Sequence, residues 1–301
     1  MKQLLLFVSL LPATLLAQDR HLDSLMGTTQ PAHGRAYVTG TFKGTRIINL
    51  QSVEKAAPGT LQFLIQHRFG AVNGGGYEFF GLDQATIRLA LEYGLHRAVA
   101  IGVGRSSYEK NYDAYTKVTL LRQAPSAVPF TLAYFGSVVY RGERMALKGF
   151  NSGNARLSYT HQLLLARKFT DRLSLQLAPT FVHKNRVLSR LDPNDYYALG
   201  VGGRYRLTKR FSLNTEYIGR LPPANRSAPA YADFHNSFSL GVDIETGGHV
   251  FQLHLTNSLS MLEKGFITES SESWGNGGVH FGFNISRDFT FGRGKKSKKT
   301  W

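Results

Sequence analysis

Hydrophobic and polar residues alternate with a period of two along much of the chain, and helical periodicity is nearly absent. In residues 87–93 the odd positions are Ile, Leu, Leu and Tyr, while the even positions are Arg, Ala and Glu. The other clear segments are 61–69, 211–217, 238–245, 251–256 and 281–286. Successive side chains of a strand point to opposite faces, so this pattern predicts strands with one apolar and one polar face.

The connections between these segments alternate between short and long. Short turns are expected at 95–97, 124–129, 169–172, 207–210 and 246–248. Longer polar segments cover 70–85, 106–113, 141–153, 184–195, 221–233 and 258–277. Short periplasmic turns and long external loops are typical of outer-membrane barrels. We therefore predict an all-β protein, an antiparallel transmembrane β-barrel of about twelve strands between residues 60 and 291.

A soluble β-sandwich also shows alternation and is the competing fold. The polar face here carries Arg, Glu, Asp, Gln and Gly in strands long enough to cross a membrane, and the apolar face often ends in Tyr or Phe. Aromatic residues at both edges of an apolar band are a feature of membrane barrels. The composition agrees, with a mean hydropathy of -0.20 and 12% aromatic residues.

The first 17 residues have the pattern of a cleaved signal peptide. Lys2 precedes an apolar run over 4–11, Pro12 breaks the run, and Ala17 precedes the polar Gln18. The run is too short for a membrane helix, which needs about 20 apolar residues. Residues 18–59 do not fit the hairpin repeat and could form a periplasmic leader, a lumen plug or an extra strand at 36–43. Residues 292–301 form a basic C-terminal tail.

The net charge is +16 and the chain contains no cysteine. The missing cysteines exclude disulfides, lipoprotein anchoring and thiolate metal sites. For an exported protein, the positive charge favours outer-membrane lipids, lipopolysaccharide phosphates or small anionic solutes as partners, together with envelope proteins that the sequence does not identify. Nucleic acid is not expected as a partner.

Several strings resemble a Bacteroidota β-barrel family, the domain of unknown function 5777. They are TFKGTRIIN at 41–49, IQHRFG at 65–70, GVGRSS at 102–107, TGGHVFQL at 246–253 and GFNISR at 282–287. The resemblance covers nearly the whole chain after residue 40. It implies an outer-membrane barrel and implies no reaction.

Alternation places ten charged residues on the predicted lumen face. They are Arg68, Arg88, Glu92, Lys117, Arg156, Arg204, Arg206, Glu216, Asp243 and Glu245. Turning an Arg or Lys toward lipid at the midplane would cost about 2–4 kcal/mol, which favours the inward orientation. These residues could form a cationic constriction that favours anions. Alternatively, they could form a packed interior in which Glu92, Glu216 and Asp243 pair with arginines.

No catalytic, metal or cofactor site is predicted. The histidines at 67, 183, 249 and 254 lack a close ligand spacing, and Ser106 and Ser107 lack a G-x-S-x-G motif. The expected role is a passive channel, solute binding or scaffolding with a basic lumen. An outer-membrane enzyme acting on lipid or lipopolysaccharide is the alternative. An open lumen would favour transport, whereas a filled one would favour a scaffold or an enzyme.

Overall fold

The computed structural model describes residues 37–290, except 126, 147–148, 150, 224–227 and 247–248. The predicted signal peptide (1–17) and basic tail (292–301) lie outside the described residues, as do residues 18–36 of the N-terminal segment.

Twelve antiparallel strands in the described part of the chain form one closed barrel. Each strand pairs with its neighbours in sequence, and β1 closes the ring by pairing with β12. Closure gives every strand a hydrogen-bonded partner on both sides, as a sheet in lipid requires. The strands are β1 (Thr60–Ala71), β2 (Ala85–Gly94), β3 (Val99–Ser106), β4 (Tyr112–Leu121), β5 (Thr131–Tyr140), β6 (Leu157–Lys168), β7 (Leu173–Lys184), β8 (Asp195–Arg206), β9 (Phe211–Arg220), β10 (Ser237–Thr246), β11 (His249–Thr256) and β12 (His280–Thr290).

The helices are short and lie in the connections. They are the α-helices α1 (Pro229–Ala232) and α2 (Glu263–Thr268) and the 3-10 helices Val72–Gly81, Tyr108–Lys110, Asn154–Arg156 and Trp274–Asn276. Among the described residues, no helix is long and apolar enough to cross a membrane.

The two faces of the wall differ as the alternation predicted. In β1 the even-numbered Gln62, Gln66 and Arg68 are buried in the interior, while the odd-numbered positions point outward. In β2, Leu89 points outward and is 44% exposed, whereas Arg88 is buried. The outward leucines give the barrel an apolar surface that matches lipid, and the polar side chains line its inside.

The lengths of the connections distinguish the two mouths of the barrel. The short-turn mouth holds the β2–β3, β6–β7 and β8–β9 turns and both barrel ends, Thr60 and Thr290, which pair with each other. The long-loop mouth holds loops such as 141–156, 185–194, 221–236 and 257–279. Two connections depart from the predicted alternation of short and long. The β3–β4 loop shortens to 107–111 because Asp113 belongs to β4, and the β4–β5 connection lengthens to 122–130.

We expect the long-loop mouth to face the outside of the cell. A cysteine replacing Leu188, which is 61% exposed in the β7–β8 loop, should react with a membrane-impermeant thiol reagent on intact cells. A cysteine replacing Asp171 in the β6–β7 turn should react only after lysis. The natural chain has no cysteine, so its background is zero. Labelling of Asp171→Cys but not Leu188→Cys in intact cells would reverse the orientation.

Candidate functional site

The interior of the barrel is occupied by the chain's own N-terminal segment. Residues 41–54, here called the plug hairpin, double back on themselves inside the wall. Arg46 pairs with Gln51 in an antiparallel bridge, and the Ile47 N–H donates to the Leu50 carbonyl at 2.8 Å. Both legs reach the short-turn mouth, where Val38 N–H donates to the Gln123 carbonyl and Gly59 N–H donates to the Gly94 carbonyl. These contacts place residues 41–54 inside the barrel as a plug.

Glycines in the wall make room for the hairpin. The tip residues Ile47 and Leu50 are fully buried against β8, where Gly202 and Gly200 face them. A Cβ at Gly202 would overlap Cδ1 of Ile47, and a Cβ at Gly200 would lie 2.9 Å from Cδ2 of Leu50. Any side chain at either position would therefore need Ile47 or Leu50 to move from its present place.

A single carboxylate holds the tip of the hairpin. Glu216 on β9 accepts hydrogen bonds from the backbone N–H groups of Ile48 at 3.1 Å, Asn49 at 2.8 Å and Leu50 at 3.0 Å. Successive backbone N–H groups that converge in this way form an anion-binding nest. Hydrogen bonds to a charged group contribute about 1.5–3 kcal/mol each, so this contact is a strong attachment.

The side chain of Asn49 connects the tip to three further strands. Its Nδ2 donates to the hydroxyls of Ser239 at 3.0 Å and Thr256 at 3.1 Å. Its Oδ1 accepts from the guanidinium of Arg68 at 2.9 Å. Arg68 also donates to Asn284 Oδ1 at 3.1 Å. The tip is thus bonded to β1, β9, β10 and β11.

Two wall residues bind backbone groups of the hairpin and of the residues that follow it. Lys117 is fully buried, and its Nζ donates to the carbonyls of Thr45 at 3.0 Å and Glu54 at 2.7 Å. Glu92 accepts from Ala56 N–H at 2.8 Å and from the Tyr115 hydroxyl at 3.1 Å. A buried charge needs such partners, because without them its desolvation would be uncompensated.

The second occupant enters from the long-loop mouth. All six residues of α2, in the β11–β12 loop (257–279), are buried. Glu263 forms a 3.0 Å ion pair with Arg46 of the hairpin and accepts from Gln51 Nε2 at 2.9 Å. Phe266 of the loop belongs to the same apolar cluster as Phe42 and Leu50 of the hairpin. The hairpin and the loop therefore meet inside the barrel and close it from both ends.

An ion cluster holds this loop to the wall. Lys264 Nζ lies 2.5 Å from Glu109 Oε2 and 3.4 Å from Glu269 Oε2, and Lys184 Nζ lies 2.7 Å from Glu269 Oε1. Burial alone would raise the pKa of Glu269, but Lys184 and Lys264 outweigh it and hold that pKa below its ordinary value. Burial likewise opposes the charge on Lys264, yet Glu269 and Glu109 raise its pKa.

Comparison with known proteins agrees with this architecture. The family model for a membrane bound beta barrel domain, DUF5777, matches residues 42–289. The chain belongs to this family. No curated protein matches it.

Several solved structures are similar to this DUF5777 barrel at low identity. The NanC porin has a TM-score of 0.48 at 10% identity, with 77% of this chain and 100% of that chain covered. The COG4313 outer membrane channel from Pseudomonas putida F1 has a TM-score of 0.48 at 11% identity, covering 78% and 97%. The KdgM porin has a TM-score of 0.43 at 11% identity, covering 77% and 99%.

The DUF5777 barrel buries seven of the ten charged residues predicted for the lumen. They are Arg68, Arg88, Glu92, Lys117, Arg204, Glu216 and Asp243. The other three are half-buried at the mouths, because the strands end there. Arg156 precedes β6 at the long-loop mouth, and Arg206 ends β8 at the short-turn mouth. Glu245, near the end of β10, pairs with Lys43 of the hairpin.

Hydrogen bonds link Arg88, Glu92, Glu216 and Asp243 to partners outside this set. Arg88 binds Asp113 of β4, at 3.0 Å from Nε to Oδ1 and 2.5 Å from Nη2 to Oδ2. Glu92 and Glu216 are bound by the N-terminal segment, and Asp243 accepts from Gln252 Nε2 at 2.8 Å. Asp113 was missing from the predicted lumen face because its position was assigned to a loop. Asp113 occupies the same alternating positions as Tyr115 and Lys117 along one strand, and this pattern could have identified it as an inward-facing residue.

The histidines and serines of interest have structural contacts. His67 points outward and stacks on Phe283, while His183 Nδ1 lies 2.6 Å from Asp195 Oδ1 in a partly exposed pair. Ser107 Oγ accepts from Ile87 N–H at 2.9 Å and Ser106 Oγ accepts from Tyr108 N–H at 3.2 Å. Within the described residues, no three His, Cys, Asp or Glu side chains group together in a way that could hold a metal ion.

Replacing Arg88 should test the packed interior. Arg88→Glu removes a buried ion pair and places a second carboxylate beside Asp113, so we expect a loss of about 3–5 kcal/mol in stability. The urea midpoint of the heat-modifiable folded band measures it. Arg172→Glu, the same change in the exposed β6–β7 turn, is the control and should leave the midpoint nearly unchanged. Equal midpoints for the two variants would show that the pair contributes no stability.

The ion cluster makes the β11–β12 loop sensitive to acid. A carboxylate whose pKa is lowered on folding stabilises the folded state above its ordinary pKa, and this stabilisation is lost as the pH falls toward the lowered value. Amide exchange of residues 263–269 should therefore accelerate as the pH drops from 5 to 3, beyond the intrinsic pH effect on exchange. Glu269→Gln should show a smaller acceleration, because that residue no longer titrates. The same acceleration in both proteins would exclude Glu269 as the cause.

Proposed function

We propose that this protein is an outer-membrane channel that is closed at rest by its own N-terminal hairpin. When the hairpin withdraws through the short-turn mouth, the barrel becomes a passive route for small hydrophilic solutes. The observation that carries the proposal is the polar wall behind the hairpin.

Much of the wall around the occupied space is hydrophilic. Gln62, Gln66, Gln176, Asn214 and Ser239 are all buried on the inner face, beside the charged residues described above. A lining of this kind suits water and hydrated solutes. A lumen filled permanently would be served as well by apolar side chains, which carry no desolvation cost.

The form of the plug also supports withdrawal. A hairpin with both legs at one mouth can leave without threading through the barrel. Its polar contacts, such as those of Glu216 and Lys117, can be replaced by water once the lumen fills. Departure of Arg46 would leave Glu263 buried without its cationic partner. Because an unpaired buried charge is costly, withdrawal of the hairpin favours displacement of the β11–β12 loop as well.

The charge of the wall favours anions weakly. The buried basic residues of the strands are Arg68, Arg88, Lys117, Lys184 and Arg204, and the buried acidic ones are Glu92, Asp113, Glu216 and Asp243. The two sets nearly balance, so the open lumen carries only a slight positive excess. We therefore expect a mild preference for small anionic solutes rather than strict selectivity.

A non-conducting scaffold, a role that a filled lumen was expected to favour, is the second candidate. It is favoured by the apolar cluster that joins Phe42, Leu50 and Val53 of the hairpin to Phe135, Leu164 and Ile218 of the wall. A dry, well-packed centre of this kind stabilises the closed state and opposes opening. In this role the barrel would present its long loops to envelope partners, and the hairpin would not leave.

Adjacent glycines in β8 offer a matched test of the plug. Gly202 faces Ile47 inside the barrel, whereas Gly203 faces Leu175 on the outer surface. Gly202→Val should push the hairpin tip from its place and raise ion conductance in a planar bilayer at least several-fold above that of the wild type. Gly203→Val adds the same side chain toward lipid and should conduct as the wild type does.

Deletion of residues 37–57 provides a second, independent variant. If it yields a heat-modifiable barrel, steady conductance is expected. A folded deletion variant and a folded Gly202→Val variant that both stay silent would support the scaffold and contradict the channel.

A further inference from the structure

A pocket of about 360 Å³ lies inside the short-turn mouth, between the base of the plug hairpin and the wall. We call it the mouth pocket. The residues that matter for its chemistry are Thr41, Glu54, Lys55, Arg97, Thr119 and Arg122. Lys55 follows the plug hairpin, whereas Arg97 lies in the β2–β3 turn and Arg122 follows β4. The pocket therefore spans the contact between a mobile element of the proposed channel and its fixed wall.

The pocket brings together three cations and one carboxylate. The carboxylate, Glu54, already accepts from Thr41 N–H at 2.8 Å and Phe42 N–H at 3.4 Å. Both N–H groups bind Oε1 of Glu54. One carboxylate against three cations leaves the pocket with an excess of positive charge.

Neutral groups hold two of these cations in place. Lys55 Nζ donates to the Arg97 carbonyl at 2.7 Å, and the Arg122 guanidinium lies 4.5 Å from the ring centre of Tyr37. Partial burial and the neighbouring Arg122 lower the pKa of Lys55. Like charges are thus kept close together, and a bound anion would relieve their repulsion.

We infer that the mouth pocket binds a small organic anion carrying a phosphate or carboxylate group. Its volume is many times the roughly 30 Å³ share of one water molecule, so it can hold more than an inorganic ion. Lys55, Arg97 and Arg122 supply charge-assisted donors for the anionic group. The hydroxyls of Thr41 and Thr119 can bind the polar remainder of such a solute.

Occupancy would also affect the plug, a consequence that rests on the proposed function. An anion between Lys55 and Arg122 links the base of the hairpin to the wall and so favours the closed barrel. By linkage, a ligand that binds the closed state better shifts the equilibrium toward it. The solute would then act from the periplasmic side as an inhibitor of opening.

Titration calorimetry of the full-length barrel in an uncharged detergent tests the site. Glycerol 3-phosphate is the probe, and glycerol is its neutral counterpart. We expect saturable binding of the phosphate ester, weakened by added salt, and none of glycerol. Arg122→Gln and Lys55→Gln should each weaken binding at least tenfold, or about 1.4 kcal/mol. Lys55→Arg should retain it.

Arg172→Gln is the matched control, because it removes one positive charge from the same mouth outside the pocket. It should bind as the wild type does. Equal affinities for Arg172→Gln and Arg122→Gln, with both barrels heat-modifiable, would overturn the site. Inorganic phosphate binding as tightly as the ester would overturn its assignment to an organic anion.

The effect on the plug has its own readout. Glycerol 3-phosphate should reduce the conductance of Gly202→Val at least two-fold and should not act on Gly202→Val combined with Arg122→Gln. Calorimetric binding without this reduction would leave the site in place and contradict its link to opening. Failure of the channel proposal itself would instead appear as silence of Gly202→Val before any ligand is added.

Discussion

The contact between Glu216 and the hairpin tip is the interaction on which the closed interior depends. One carboxylate takes up three backbone N–H groups that a tight turn leaves without partners. The contact stabilises both partners, because a buried carboxylate and buried N–H groups are both costly when unpaired. Removing the hairpin therefore takes three hydrogen-bond donors away from the Glu216 carboxylate. Only water or another set of donors can replace them.

Three other charged residues of the wall follow the same rule. Arg68 donates to the side chain of Asn49, and Lys117 donates to the carbonyls of Thr45 and Glu54. Glu92 accepts from the Ala56 N–H. In each case a wall charge is bound by a neutral polar group of the N-terminal segment. Ion pairs form within the wall at Arg88–Asp113, in the cluster that holds α2, and between Glu245 at the end of β10 and Lys43 of the hairpin. The wall can consequently lose the plug without separating its own buried ion pair.

The two occupants are coupled through one ion pair and one apolar cluster. Arg46 and Glu263 join the hairpin to the β11–β12 loop, and Phe266 packs with residues of the hairpin. Moving the hairpin or the loop therefore destabilises the other element, because a buried charge left without its partner costs about 3–5 kcal/mol. The geometry connects a loop that ends in the long-loop mouth to a chain segment that ends in the short-turn mouth.

The sequence by itself determined the barrel and its polar inner face. Alternation assigns each side chain to lipid or lumen, and in a closed sheet with an apolar outer surface a one-residue slip would reverse every assignment. The alternation involves only neighbouring residues of one strand, so a pair such as Arg88 and Leu89 shows it directly in the sequence. It also accounts for the burial of seven charged residues that alternation placed inside.

Only the tertiary structure decided what those charges bind. Glu216 meets residues 48–50 from more than 160 positions away. Arg88 on β2 meets Asp113 on β4 across the intervening strand β3, and the start of β4 was assigned to a loop. The string at 41–49 carries both apolar and polar residues and is compatible with a leader, a strand or a plug. The choice depends on the space that Gly200 and Gly202 leave inside the closed barrel. That space exists only after twelve strands have closed, because the lumen is formed by the whole ring and by no single segment.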